Sequence, residues 1–288
     1  MKEIRIQSIT SEDAAYPALL KQIKDYPKKL YYVGNIELLK TRCVSVIGSR
    51  TTTTYGRNTA RAAGRCLAEC GLTIVSGMAA GIDTCAHEGA LAAGGDTIAV
   101  LGCGVDICYP LQNMALMQRI EKSGLIISEY EPGSEPMAYM FPQRNRIISG
   151  LSEMTLVIQA RNRSGSLITA ELAVEQGREV FAFPGNIDSQ YNLGSNKLIQ
   201  EGAGLVARID DLPEIMGLGG RISERKLESL TSLEQKVCLM LRDRGELTSE
   251  EVCIELGDSP RRIAPVLSVL EIKGYICSAS GKFFLANG

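Results

Sequence analysis

Tryptophan is absent from this chain of 288 residues, phenylalanine occurs five times, and there is a single histidine, His87. One imidazole leaves no histidine cluster for a metal. The nine cysteines contain no CxxC pair, their closer spacings being Cys66 with Cys70 and Cys103 with Cys108. Neither a zinc site nor a disulfide framework is supported, and the thiols read as small buried apolar side chains. No stretch approaches about 18 consecutive apolar residues, and MKEIRIQSITSED alternates charges where a signal peptide has a basic region and an apolar core. A cytoplasmic chain with no membrane span is expected. Positive charge is also scarce: 31 Lys and Arg against 33 Asp and Glu give a net charge of -2. A polyanion therefore meets no global basic surface, and nucleic-acid binding requires a local cluster. Two phosphate motifs are missing as well. Without GxxxxGK[ST] no Walker lysine grips a nucleoside triphosphate, and GSRTTTTYG lacks the GxGxxG spacing that admits a pyrophosphate. NTP hydrolysis and nicotinamide chemistry are unsupported, and no cofactor or metal is expected.

What is present is 45% apolar content, in a chain longer than the usual single domain. A main domain with a smaller companion is expected. From residue 43, short β-rich runs alternate with helical patterns: CVSVIG, a helix from Asn58 to Cys70, LTIVSG, a helix to Ala93, DTIAVLG, a helix near Met114 to Lys122, and GLIISEY. There follow MTLVIQA, a helix from Leu167 to Gln176, REVFAFPG, a helix from Asn196 to Glu201, and GLVARI. Strands that are apolar throughout, joined by helical crossovers, predict a parallel sheet covered on both faces. The expected fold is α/β, a doubly wound, Rossmann-like, mostly parallel sheet over residues 43–216, preceded by an N-terminal helical extension at 1–42. GLGGRISERKLESL, residues 217–230, reads as a linker. In 231–288, helices open at the caps Thr231, Thr248 and Ser259, the first two with Glu at the capping-box position, and ICSASGKFFLA gives two strands around a turn. That order predicts a small C-terminal winged-helix domain, with a protein-interaction module as the alternative.

In open parallel sheets, ligands gather at the carboxyl ends of the strands, where helix N-termini present free amides. The segments after these strands are GSRTTTTYG, SGMAAGID, GCGVD, EPGSEP, ARNRSGSLITAE and PGNIDSQYNLGSNK. Glycine and hydroxyl residues dominate them, and such loops offer amides and hydroxyls to anionic oxygens. Arginines recur beside the glycines: Arg50, then Arg144 and Arg146, then Arg161 and Arg163, with Lys197 further on. The rim predicts a phosphate track instead of a single phosphate site.

FPQRNRIISG, Phe141 to Gly150, concentrates this pattern. A helix beginning near Arg144 puts Arg144, Ile147, Ile148 and Leu151 on one docked face and turns Asn145 and Arg146 away. Cations in a first helical turn oppose the dipole, so they call for acidic partners, of which Glu129, Glu131 and Glu135 are near in sequence, or for an anionic ligand. Phe141 beside them is either a base-stacking surface of the kind single-strand grooves use or a core phenylalanine.

With these motifs in order, the chain resembles the DNA-processing protein A family, also called DprA or Smf. The resemblance covers about residues 15–216 and rests on YYVGN, VIGSR, VSGMAAGIDTCAHEGAL, VLGCGVDICYP, FPQRNRIISGLS, SGSLITAELA, FAFPG and LGSNKLIQEGA. It implies a DNA-binding protein, not an enzyme: an extended Rossmann core that binds single-stranded DNA without sequence preference, pairs as a homodimer, protects incoming DNA, and helps load RecA recombinase in natural transformation and DNA recombination. By motif it places Gly48, Ser49 and Arg50 on phosphate, with Ser76 and Gly77 at the next strand end. It sets Phe141 against a base with Arg144, Asn145 and Arg146 nearby, and continues the groove through Ser164, Gly165, Ser166 and Lys197. MAYM, Met137 to Met140, lacks the basic residue that many relatives carry just before the Phe-Pro pair.

SGSLITAE is also similar to the phosphate loop and glutamate of nucleoside-monophosphate phosphoribohydrolases, which would make Glu171 a catalytic carboxylate. No second acid or base is positioned with it. His87 lies four residues after Asp83, close enough to share a helix face, but no nucleophile accompanies them. A structural role at the start of that helix is expected for it.

Overall fold

Cys43–Ile47, Thr73–Ser76, Thr97–Leu101, Leu125–Ser128 and Met154–Val157 are buried at every residue. Strands without a solvated face lie between two layers of helices. The computed structural model describes residues 6–218 and 230–285. Its main sheet contains β1 (Gln7–Thr10), β2 (Lys29–Gly34), β3 (Cys43–Ile47), β4 (Thr73–Ser76), β5 (Thr97–Leu101), β6 (Leu125–Ser128), β7 (Met154–Val157), β8 (Glu179–Ala182) and β9 (Gly204–Leu205). Their order across the sheet is β1-β2-β6-β5-β4-β3-β7-β8-β9. All pairs from β6 to β9 are parallel, and only β1 with β2 and β2 with β6 are antiparallel. This is the expected doubly wound, mostly parallel α/β fold.

The helices are α1 (Thr54–Glu69), α2 (Ile82–Ala92), α3 (Met114–Ser123), α4 (Met140–Gly150), α5 (Gly165–Glu175) and α6 (Leu193–Gln200). Alternation along the strands feeds two cores. Ile98, Val100, Leu125 and Ile127 meet Ile147 and Ile148 of α4 and Ala170 and Ala173 of α5. Ala99, Leu101 and Ile126 meet Leu116, Met117 and Ile120 of α3 on the other face. Each fully buried Leu or Ile contributes about 1.5–3 kcal/mol relative to exposure. Polar side chains inside the sheet pair with each other: Ser45 of β3 and Thr155 of β7 sit opposite in register and share a hydrogen bond of 2.8 Å.

The N-terminal segment departs from expectation. Residues 1–42 were expected as a helical extension, yet β1 and β2 lengthen the sheet itself, and the helical content among the described residues is confined to the short 3-10 turns Leu20–Gln22 and Ile36–Lys40. KLYYVG is β-branched and aromatic enough for a strand, and Leu30, fully buried, joins the same core as Leu20 and Ile127. Helix α4 also starts earlier, at Met140, so Arg144 and Arg146 stand in its second turn, clear of the strongest dipole field.

The chain forms two compact units, Met1–Ala68 with Leu72–Ile209, and Glu69–Gly71 with Asp210–Gly288. The C-terminal boundary of the core thus falls at 209, not 216, and the expected linker lies largely on 219–229, outside the described residues. In the second unit, helices Ser232–Arg244 and Ser249–Leu256 open with the expected capping boxes, Thr231 with Glu234 and Thr248 with Glu251. A third helix, Pro260–Ile272, follows Ser259. Lys282–Leu285 pairs antiparallel with both Ile276–Ala279 and Glu246–Thr248, so three strands stand where two were expected. Val237, Leu241, Val252, Ile263, Leu267 and Leu270 fill this unit's own core.

Candidate functional site

Strand order reverses between β3 and β7: β4, β5 and β6 follow outward on one side, β8 and β9 on the other. Loops leaving adjacent strands in opposite directions open a crevice at their carboxyl ends. Here the crevice is a cavity of about 570 Å³ lined by Gly48 and Arg50 after β3, Asp83 of α2, Tyr109, Phe141, Arg144 and Asn145 of α4, and Ser164 to Ser166 at the start of α5.

Phe141 is half-buried and belongs to neither core. Its ring packs on Gly102, where a Cβ would come within 2.9 Å of the ring. Tyr109 lies beside it at 5.2 Å between centroids, tilted by 33°. The exposed Arg50 guanidinium stands 5.1 Å from the ring centroid. A cation resting on an aromatic face at a cavity mouth offers one phosphate donor and one stacking surface together. At the other wall, Ser164 caps α5: its Oγ accepts from the Ser166 amide at 3.4 Å and shares a 2.7 Å hydrogen bond with the Ser166 hydroxyl. Gly165 has open space where a Cβ would sit. The Ser49 hydroxyl lies 3.4 Å from that of Ser164, and its own amide is tied to the Gln159 carbonyl at 2.8 Å.

Arg144 does not face solvent. It is only 4% exposed, and its Nη1 donates to the carbonyls of Gly77, at 2.7 Å, and Val100. The guanidinium covers Gly77 so closely that a Cβ there would lie 2.7 Å from Nη2. Asp83 holds the same residue by its other backbone group, accepting from the amides of Gly77 at 3.1 Å and Ala79 at 3.4 Å. Burial pushes the Asp83 carboxyl up, to about 6, against the pull of Arg144 and of the two amides. Burial lowers Arg144 to about 10 while Asp83 pulls it back. Both therefore remain charged at neutral pH, and Arg144, expected on phosphate, is instead an internal hydrogen-bonding clamp on the ends of β4 and β5.

Two other expected contacts are likewise committed within the protein, and a third lies off the cavity. Ser76 is fully buried and donates its hydroxyl to the Val46 carbonyl at 2.7 Å, because as the last residue of β4 it points into the sheet. Arg146 donates to both carboxylate oxygens of Glu129, at 2.7 and 2.9 Å, and to the carbonyls of Asp25 and Gln143. This is the acidic partner that its sequence position calls for. Lys197 is exposed, pairs with Glu201 at 3.3 Å on α6, and does not line the cavity. Asn145 does, donating to the Gly165 carbonyl at 3.4 Å and so tying α4 to α5. Gly48 lines the cavity too, but its bare Cα serves packing: a Cβ would lie 2.5 Å from Ile82.

Glu171 is exposed on α5 and away from the cavity lining, so the cavity's carboxylate is Asp83. His87 is not at the start of α2 but in its middle, fully buried. Thr97 Oγ1 donates its one proton to the Ile74 carbonyl at 2.7 Å, so in the 2.6 Å contact between them His87 Nδ1–H is the donor. Nε2 is left buried without a partner. Burial, with Arg144 adding repulsion, holds the imidazole down at about 3, neutral under ordinary conditions. The task expected of His87, closing the helix start, belongs to Asp83.

Tyr109 and Asp83 complete the cavity without having been singled out as contacts. Tyr109 stands in the ICYP run of the loop that follows β5, so the rule that selected the glycines could equally have selected the aromatics of those loops.

A family model described as DNA recombination-mediator protein A matches residues 7–217. DNA processing protein DprA of Streptococcus pneumoniae is 47% identical over 208 residues, 72% of this chain and 73% of that protein. Protein Smf of Escherichia coli is 38% identical over 284 residues, 96% of this chain and 76% of its own. The crystal structure of the S. pneumoniae protein superposes with a TM-score of 0.71 over 73% of this chain and 74% of that one, at 46% identity. A structure of Helicobacter pylori DNA processing protein A, described for its single-stranded DNA binding mode, superposes with a TM-score of 0.68 at 34% identity, covering 74% of this chain and 96% of that one.

Proposed function

The chain belongs to the DNA recombination-mediator protein A family, and from that premise we propose that it binds single-stranded DNA without sequence preference at the carboxyl rim of its sheet. The observation that carries this reading is Arg50 resting on Phe141 at the mouth of a cavity whose opposite wall is the capped start of α5. A phosphate reaches Arg50 and the amide of Gly165, while a base stacks on Phe141 with Tyr109 extending the platform. Few polar groups remain to read base edges, since Arg144, Asp83 and Ser76 are engaged internally. Tolerance of sequence follows from that commitment.

In this reading the protein works in the cytoplasm as a homodimer, protects incoming DNA, and delivers it to a RecA-type recombinase, with the C-terminal unit acting as a winged helix. Among the described residues no helix is long and apolar enough to cross a membrane. The test is fluorescence anisotropy with oligo-dT from a few to about thirty nucleotides at several salt concentrations, beside a mononucleotide. Affinity that rises with length and falls with salt is expected, and equal affinity for a mononucleotide and a long oligomer would sink the groove. Incubation with AMP, followed for released base, checks the phosphoribohydrolase alternative, for which no release is expected.

A further inference from the structure

Across the switch point from Phe141 stands a second guanidinium–aromatic pair. Arg161, in the loop after β7, lies 4.2 Å above the ring centroid of Tyr191, in the loop after β8. Both residues are half-buried, and the Arg161 Nε is buried with no acceptor. An N–H of a charged group withdrawn from water without a partner is costly, so the atom calls for an oxygen. No ion pair occupies Arg161 or its exposed neighbour Arg163 among the described residues.

The loop that carries the ring is held in place before any ligand arrives. Gln159, fully buried, accepts from the Thr52 hydroxyl at 2.7 Å and the Thr53 amide at 3.0 Å, and donates to Asn192, next to Tyr191, at 2.6 Å. Asn196 closes the same loop on Gly185 with two hydrogen bonds of 3.0 Å. Such a fixed loop loses little freedom on binding. The pair is also continuous with the first one. The Arg161 amide lies 3.4 Å from the Ser49 hydroxyl, which lies 3.4 Å from the Ser164 hydroxyl, and Arg50, the next residue, stands on Phe141.

We infer that Arg161 and Tyr191 form a second nucleotide station, where Arg161 takes a phosphate and Tyr191 a base of the same single strand that occupies Phe141 and Arg50. The inference rests on the proposed function. It adds that the strand crosses the switch point, with the Ser49 and Ser164 hydroxyls at the step between stations, so that the site selects a polymer over a nucleotide.

Two variants of the full chain test it, Tyr191→Ala and Arg161→Gln, each checked by thermal melting and titrated with labelled oligo-dT of about three to about thirty nucleotides. The shortest oligomers, which fill only the Phe141 station, should bind as they do to the parent. Long oligomers should bind Tyr191→Ala about tenfold more weakly with an unchanged salt slope. Arg161→Gln should lose about one unit of salt slope. Photo-cross-linking of the unsubstituted protein to an oligomer carrying 5-iododeoxyuridine, read by peptide mass spectrometry, should give an adduct on Tyr191, and it decides the matter if a variant fails to fold. Parental binding of long oligomers by both variants, or no adduct on Tyr191, overturns the second station. If Phe141→Ala still weakens binding in that case, the proposed function survives. Absence of oligo-dT binding by the parent protein would overturn both together.

Discussion

Arg144→Met separates a ligand from a clamp. Removing the guanidinium leaves the carbonyls of Gly77 and Val100 without their donor and the buried Asp83 carboxylate without the stronger of its two counter-charges, Arg50 being the other. Removing one of two buried, mutually attracting charges costs up to about 3–5 kcal/mol, a large share of a total stability of roughly 5–15 kcal/mol. For a domain of this size the melting temperature should fall by roughly 6–20 °C. The loss should also depend on pH. Folded, Asp83 keeps its proton up to about pH 6, against an ordinary value of 3.8. Between those values the folded state binds the extra proton, so this group's contribution to stability falls as pH rises. Without Arg144 the upper edge of that window moves higher, and the melting temperature should drop more at pH 8 than at pH 5. Asp83→Asn combined with Arg144→Met should recover part of the loss, because no uncompensated charge stays buried. Differential scanning calorimetry across pH measures this, and anisotropy below the melting temperature measures oligo-dT binding. Affinity should fall, since α4 carries both Arg144 and Phe141, while the salt slope stays that of the parent. A variant that melts with the parent and loses a unit of salt slope would refute the clamp and return Arg144 to the phosphate.

Phe141→Ala should weaken oligo-dT binding by about 1–3 kcal/mol with little change in salt slope, whereas Arg50→Ala should lower the slope by about one unit for all sequences alike. Because Phe141 lies outside both cores, its truncation should cost less stability than the several kcal/mol of a core phenylalanine, as thermal melting will show. His87→Gln should leave oligo-dT binding near normal. It should also remove an acid sensitivity: the folded imidazole stays neutral down to about pH 3 while the unfolded one takes a proton from 6.5 downward, so stability is lost as pH falls through that window in the parent but not in the variant. Gly77→Ala should destabilise the fold, since the new methyl would meet the Arg144 guanidinium, and chemical denaturation should register it even though Gly77 is remote from solvent.

Strands β3 to β8 were legible because each is a short apolar run bounded by glycine or hydroxyl residues, and a parallel sheet with both faces covered writes itself in that way. KLYYVG follows Pro27 and Lys28 in a segment with mixed patterning, and pairs antiparallel with a strand about a hundred residues away, so local pattern did not reveal it. The position of Arg50, Phe141 and the Ser164 to Ser166 turn on the cavity wall was readable because helix starts and strand ends have sequence signatures. Arg144 was not. Its place on the apolar face of α4 was visible, but what that face meets is set by the ends of β4 and β5, which no local spacing reports. Ser76 misled for the opposite reason: a residue at a strand's end satisfies the rule for rim residues even when its side chain turns inward.

Helix α4 reaches β7 only by spanning three strands, since β6 and β7 are separated by β5, β4 and β3. The pairing that closes this crossing joins β3 to β7 across about 110 residues, as in the Ser45–Thr155 hydrogen bond. Contacts so distant in sequence carry a high loop-closure cost and form slowly. Phe141 and Arg50 thus meet only when the most non-local part of the sheet has closed, and during refolding the capacity to hold a strand should appear after most of the helical signal, as a readout of completed topology.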